Sequence, residues 1–416
     1  MNPATSLLIS RRQFLSGAAG VVLSTNRWRN AGTMRSPRDA HVCLQMPDGR
    51  LLLAGGRISA RGQTTARVEW FDPRTDTGGA CGRLGGSRSF VPATEVGGAI
   101  TLAGGFRQGF SGDDRTVTDG DILDLESLTW RAASPLLHPR ELHSATAVGE
   151  CALVAGGFSN GRILSSSELL LPGGIRVVGQ LLNTPRFGHL AVAIGHDSVM
   201  LIGGRTTGDK SVREAELIKA GELVQSALYK LDSGTLPGTA RHTDRSASVT
   251  GGGVPKADDE YWSRGPLLNA GRFRATATTL KDGRILIAGG YSSDAGETLR
   301  SAEIFHPSER RFQLLDGLMA DGRMDHTATL LDDGRVLITG GWCSQRQETV
   351  ASAELWDPGT LTFRTTEPMP YGRHEHCAIR IGDGRVVVSG GLYATPSAAR
   401  TLDDILIFTP PARLHR

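Results

Sequence analysis

Seven arginines recur along this chain at comparable places: Arg38, Arg88, Arg140, Arg186, Arg272, Arg323 and Arg373. In five cases the arginine opens an Arg-x-x-His segment, giving His41, His143, His189, His326 and His376; the other two have Val91 and Ala275. Seven guanidiniums gathered at one opening would raise the local potential and suit a carboxylate or phosphate through bidentate bonds, so all seven are candidate ligand-binding residues. The alternative is structural. A residue repeated in every unit can hold the units together, and each unit offers an acidic partner: Glu69, Asp121, Glu168, Glu216, Glu303, Glu354 or Asp404. The histidines could be drawn as a metal cluster, but ligands for one ion converge from unlike positions, so no metal site is expected. His374 and Glu375, inside Tyr371-Gly-Arg-His-Glu-His-Cys377, break the pattern. They form a titratable pair and are the candidate acid and base if the chain is catalytic.

The spacing around each arginine dictates what positions it. A double glycine follows 16 or 17 residues later, beginning at Gly55, Gly104, Gly156, Gly203, Gly289, Gly340 and Gly390, which is the length of two short strands and a turn. The best-preserved unit runs from Arg323 to Phe363. His326 to Leu331 is apolar and β-branched, Asp333-Gly334 supplies a two-residue turn, and Val336 to Thr339 is the returning strand. Gly340-Gly341 ends it where the backbone must turn or pass close to a neighbour. Ala353 to Trp356 and Leu361 to Phe363 form a third and a fourth strand around Asp357-Pro358-Gly359. The unit recurs about every fifty residues, a period of propellers and solenoids. One such sheet cannot bury both faces; several packed radially can.

Counting arginines gives seven units, and so an all-β fold over residues 28–416. The last unit lacks a fourth strand after Asp404 to Phe408, while Trp28 precedes Arg38 as Trp130 precedes Arg140. The N-terminal strand is therefore expected to complete the last sheet and remove its free edge. One interval, Gly203 to Gly289, is 86 residues instead of about fifty. Residues 227–263 are read as an inserted loop between a fourth strand at Glu222 to Ser226 and the next unit, and so as a lid or contact arm near the arginines.

The double glycine after a β-run, the Ser-Ala-Glu-apolar-aromatic-Asp-Pro strand and turn, and the later Trp or Phe resemble the Kelch repeat of bacterial and galactose-oxidase-like propellers. The resemblance covers nearly all of the chain after the first thirty residues or so. It implies a seven-bladed Kelch-type β-propeller, and it leaves function open because such propellers serve as enzymes and as binding platforms. In animal Kelch adaptors, arginines near this position grip acidic peptides; in sialate mutarotases of similar fold the ligand is an acidic sugar. Galactose oxidase implies copper held by two tyrosines and two histidines. None of the five tyrosines here (Tyr229, Tyr261, Tyr291, Tyr371 and Tyr393) is directly followed by histidine, so no cofactor is expected, with copper the alternative.

Totals narrow the classes. The chain has 416 residues, 54 glycines, 39% apolar content and a net charge of +3. That charge, without basic runs interleaved with aromatics, does not point to nucleic acid. No apolar stretch reaches membrane-spanning length. Five cysteines (Cys43, Cys81, Cys151, Cys343 and Cys377) without a CxxC indicate neither a zinc site nor a full disulfide framework, although Cys43 and Cys377 fall in units that closure would make neighbours. Ser10-Arg11-Arg12-Gln13-Phe14-Leu15 and the short apolar run behind it resemble a twin-arginine export signal over residues 1–27. The expected location is accordingly periplasmic or secreted, and the expected state monomeric.

Strand direction puts the Arg-x-x-His segments and the loops after each double glycine on one face, and the Asp-Gly and Asp-Pro turns on the other. The first set varies and carries aromatics: Phe106 to Thr118, Phe158 to Ile163, Tyr291 to Arg300, Trp342 to Val350 and Leu392 to Thr401. The expectation is a partner protein or acidic saccharide bound there. The alternative is a sugar-processing enzyme, transferring a proton at an anomeric centre or, through copper, oxidising the sugar.

Overall fold

The computed structural model describes residues 27–109, 114–172, 176–222, 248–249 and 262–413. The twin-arginine segment and nearly all of the 227–263 insertion lie outside them. Seven sheets, each built on four antiparallel strands and one of them with Ser248–Val249 added in parallel beside Arg176–Leu181, surround a central channel. In blade 6 the strands are Thr327–Leu330, Val336–Thr339, Ala353–Asp357 and Thr362–Thr366, so the sequence-based unit holds to within a residue or so except at the end of the fourth strand. Among the described residues no helix is long and apolar enough to cross a membrane.

Burial explains the strand sequences. The first strand of each blade is half-buried toward the channel, and the second is covered by neighbouring blades and mostly apolar, as in Leu51–Ala54, Cys151–Ala155 and Ile285–Ala288. Val336–Thr339 is buried at every position. Trp356 is fully buried between blades 5 and 6, among Leu286, Ile304, Val336 and Ile338. Removing a large aromatic from such a place costs about 3–5 kcal/mol.

The double glycines make the joints between blades. The first of each pair has φ between +58° and +79°, and a Cβ there would lie 2.2–2.7 Å from the carbonyl oxygen of the next blade's arginine. The second donates its N–H to that same carbonyl at 2.7–2.9 Å in all seven joints. Glycine is required because any side chain would push the blades apart. The joint from Gly391 to Arg38, which closes the ring, matches the other six.

Closure is as expected. Trp28–Thr33 pairs antiparallel with Asp404–Phe408, and the rings of Trp28 and Phe408 pack at 4.9 Å. The insertion is not where it was expected. The fourth strand of blade 4 is Trp262–Leu267, pairing with Glu214–Ile218, and not Glu222 to Ser226. The inserted residues therefore leave from the turn between strands three and four, on the face opposite the Arg-x-x-His segments. The reason is the aromatic anchor: Trp262 is 5% exposed and fills the blade 3–blade 4 core beside Leu169 and Ile218. It stands ten residues before Arg272, as Trp28 does before Arg38 and Trp130 before Arg140.

Candidate functional site

The seven arginines are not at the channel mouth. Arg38, Arg88, Arg140, Arg186, Arg272, Arg323 and Arg373 are 0–1% exposed. Each Nη1 donates to the carbonyl of the first glycine of its own blade at 2.8–3.1 Å. Each Nη2 meets the third-strand carboxylate: Glu69, Asp121, Glu168, Glu216, Glu303, Glu354 or Asp404. Six of those carboxylates also accept a backbone N–H from the segment just before the arginine. The ligand-binding expectation for the array gives way to the structural one, because these guanidiniums tie strand two to strand three and are shut off from solvent. Burial pulls Arg272 below its ordinary value, and Glu303 pulls it back.

The repeated histidines likewise join blades. Nε2 of His41, His189, His326 and His376 bonds Ser389, Ser144, Thr276 and Thr327 of the preceding blade at 2.9–3.0 Å. All five imidazoles are held well below their ordinary range by burial, and so are neutral.

What does ring the mouth is the residue two places after each arginine. Ala40, Phe90, Leu142, Gly188, Arg274, Asp325 and Glu375 all have φ between +47° and +57°. Six hydrogen bonds of 2.8–3.3 Å run round this ring: Ala40, Phe90, Gly188, Arg274, Asp325 and Glu375 each donate N–H to the carbonyl of Glu375, Ala40, Leu142, Gly188, Arg274 and Asp325 respectively. A left-handed conformation costs a non-glycine residue roughly 1–2 kcal/mol, so the circle of bonds holds the mouth against appreciable strain.

On one side of this ring the side chains are charged and converge. Arg274 binds Asp325 Oδ1 through Nε at 2.6 Å and Glu375 Oε1 through Nη2 at 2.5 Å. Arg57, from the loop after Gly56, binds Asp39 Oδ1 through Nε at 2.5 Å and meets the other oxygen of Glu375. Glu375 thus bridges two guanidiniums from different blades, and both lie over the ring of Phe90, 4.8 and 5.4 Å from its centroid. Burial opposes its charge, but Arg274 and Arg57 prevail and hold its carboxyl below the usual range. Burial dominates at Asp39, Asp325 and Glu141, whose carboxyls are pushed up to about 7. The ring and the histidines line an open cavity of about 350 Å³ on the axis.

The candidate acid and base do not form a working pair. His374 is half-buried against Trp342, with ring centroids 5.7 Å apart, and desolvation of its ring lowers its imidazole to about 4. Glu375 is clamped by two arginines and cannot readily accept a proton. Sequence reasoning missed Arg57, Asp39, Arg274 and Asp325. The signal available was the column two residues after the repeated arginine, where charged side chains replace Ala40, Leu142 and Gly188.

Around the mouth, each variable loop flagged from sequence rises as a two-stranded hairpin: Phe106–Arg107 with Arg115–Thr116, Phe158–Ser159 with Arg162–Ile163, Tyr291–Ser292 with Glu297–Thr298, Trp342–Cys343 with Glu348–Thr349, and Leu392–Thr395 with Ala398–Thr401. A copper site of the two-tyrosine, two-histidine kind does not fit the described residues. Four of the five channel imidazoles have Nε2 committed to hydroxyls, and Tyr371 and Tyr393 flank Arg400 at 4.7 and 5.6 Å. The five cysteines are free, and Cys377 Sγ–H donates to the His41 carbonyl across the closing joint at 3.0 Å.

No family model matches the chain. It is 24% identical over 206 residues to Kelch-like protein 23 of Homo sapiens, a match covering 47% of this chain and 36% of that protein. Among solved structures it is similar to a fungal alcohol oxidase of the AA5 family in complex with copper, at TM-score 0.62 and 17% identity over 93% of this chain and 77% of the oxidase. It is also similar to YjhT, at TM-score 0.56 and 11% identity over 80% of this chain and 99% of YjhT. Seven closed blades, the glycine joints and these likenesses together support a Kelch-type propeller.

Proposed function

We propose that this protein is an exported recognition module that binds a partner protein or a saccharide on its hairpin-bearing face, at the axial opening. The observation carrying this reading is the break in sevenfold repetition at the mouth. Where other blades present Ala40, Leu142 or Gly188, blades 5, 6 and 7 present Arg274, Asp325 and Glu375 around Phe90 and a cavity large enough for a side chain or a small sugar. Likeness to Kelch-like protein 23 is in keeping with a binding role. The acidic character expected of the ligand rested on the seven arginines, which are interior; Arg57 and Arg274 are the guanidiniums that remain at the axis. Export rests on the twin-arginine motif, which ends before the closing strand begins at Trp28.

A footprint tests the reading. Hydrogen exchange in the presence of sugar acids, neutral sugars and short peptides of either charge should show protection at residues 39–41, 273–276 and 374–376. Protection confined to the Asp333-Gly334 face, or none with any ligand, would sink it. The enzymatic alternative has one feature in its favour: burial pushes the carboxyls of Asp39, Glu141 and Asp325 up to about 7, where acid and base forms coexist. A mutarotation assay that responds to Asp325→Asn and not to His374→Gln would favour it.

A further inference from the structure

Resting on the reading of the mouth as a binding site, we infer that its occupant presents a cation, a protonated amine such as a lysine side chain of a partner protein. Three carboxylates make up the charged cluster at the mouth (Asp39, Asp325 and Glu375) against two guanidiniums, Arg57 and Arg274, and each guanidinium is already bound to two of them. Asp325 is the decisive group. Its side chain is 7% exposed, its Oδ1 is held by Arg274, and its Oδ2 has no hydrogen-bond partner while the residue lines the cavity. A buried carboxylate oxygen left unsatisfied is costly, and what would satisfy it is a donor, best a charged one.

The walls agree with that chemistry. Phe90 lines the cavity beneath both arginines, and Phe158, Phe187 and Phe273 form an arc with centroids 5.4 and 5.2 Å apart, Arg205 and Arg274 each lying 5.8 Å from the centroid of Phe273. Aromatic faces beside a carboxylate favour an ammonium through the ring quadrupole, whereas an anion would meet the negative faces and the carboxylates together. The chain as a whole carries +3, so attraction of a basic probe would come from the mouth and not from net charge.

The test compares trilysine with triglutamate, titrated into the full chain by calorimetry at pH 7.5 and low salt, with Asp325→Asn and Phe90→Leu as variants. Trilysine should bind one to one, weaken at least tenfold in Asp325→Asn and a few-fold in Phe90→Leu; triglutamate should not bind. Phe90→Leu keeps the charges and guards against Asp325→Asn failing to fold. Triglutamate binding at the mouth, or trilysine binding equally to both variants, would overturn the cation while leaving the mouth as a binding face. Binding of neither peptide, with a footprint from a neutral sugar, would overturn it in the same way.

Discussion

The molecule holds two sets of arginines that differ in nearly every respect. Arg38, Arg88, Arg140, Arg186, Arg272, Arg323 and Arg373 are repeated, fully buried and each matched to a third-strand carboxylate and the carbonyls of its own blade. Arg57 and Arg274 occur once each, remain about a fifth exposed, and share Glu375 across the channel opening. The difference teaches that in a closed ring of repeats, symmetry marks what holds the ring and broken symmetry marks what the ring presents. A search for function among the conspicuous, recurrent residues finds the scaffold.

The largest expected effect separates the two sets directly. Arg323→Met leaves Glu354 charged, buried and without its guanidinium, and should cost about 3–5 kcal/mol of stability. Arg57→Met should cost less than half of that, since Glu375 keeps Arg274 and Asp39, already pushed up to about 7 by burial, can take a proton. Urea denaturation of both variants measures this, and equal losses would erase the distinction. Next come the glycines. Gly340→Ala would set a Cβ 2.4 Å from the Arg373 carbonyl and should cost at least ~2–3 kcal/mol, whereas Gly334→Ala, with nothing nearer than 3.8 Å, should cost only the backbone term of ~1 kcal/mol. Similar losses at both sites would mean that the joints between blades yield easily.

The smallest effect concerns protons. Burial raises Asp39 and Asp325 to about 7, well above their unfolded values near 4, so the folded chain holds protons that the unfolded chain releases. Their contribution to stability is therefore present at low pH and lost as pH rises through about 7. The double variant Asp39→Asn, Asp325→Asn should flatten the decline between pH 5 and 8, read from urea denaturation at each pH. An unchanged slope would show that the mouth carboxylates are not the groups responsible. In Arg323→Met the slope should persist, since that site is remote from the mouth.

Much of the fold could be read from residue order, because each arginine, turn and double glycine sits at a backbone position only that residue type suits. Blade 6 was legible strand by strand, and so was closure by Trp28. The insertion was misread because Glu222 to Ser226 has a strand-like composition, while the deciding fact was packing: Trp262 fills a hole between blades 3 and 4. The site was less legible for a similar reason. Whether an arginine turns inward to a third-strand glutamate or outward to the axis depends on backbone φ, and the left-handed ring that aims Arg274, Asp325 and Glu375 at one another leaves no mark in any single repeat. Arg57 is placed by a loop, from a different blade, and joins the cluster only once the circle is complete.

The strand that completes the last blade lies some 375 positions before the residues it pairs with. During synthesis, Trp28–Thr33 emerges first and must wait, edges unpaired, until Asp404–Phe408 leaves the ribosome. Six blades can form on the nascent chain, but the toroid locks only once residues 404–408 have emerged, and a chain truncated before residue 404 would be left as an open, adhesive crescent.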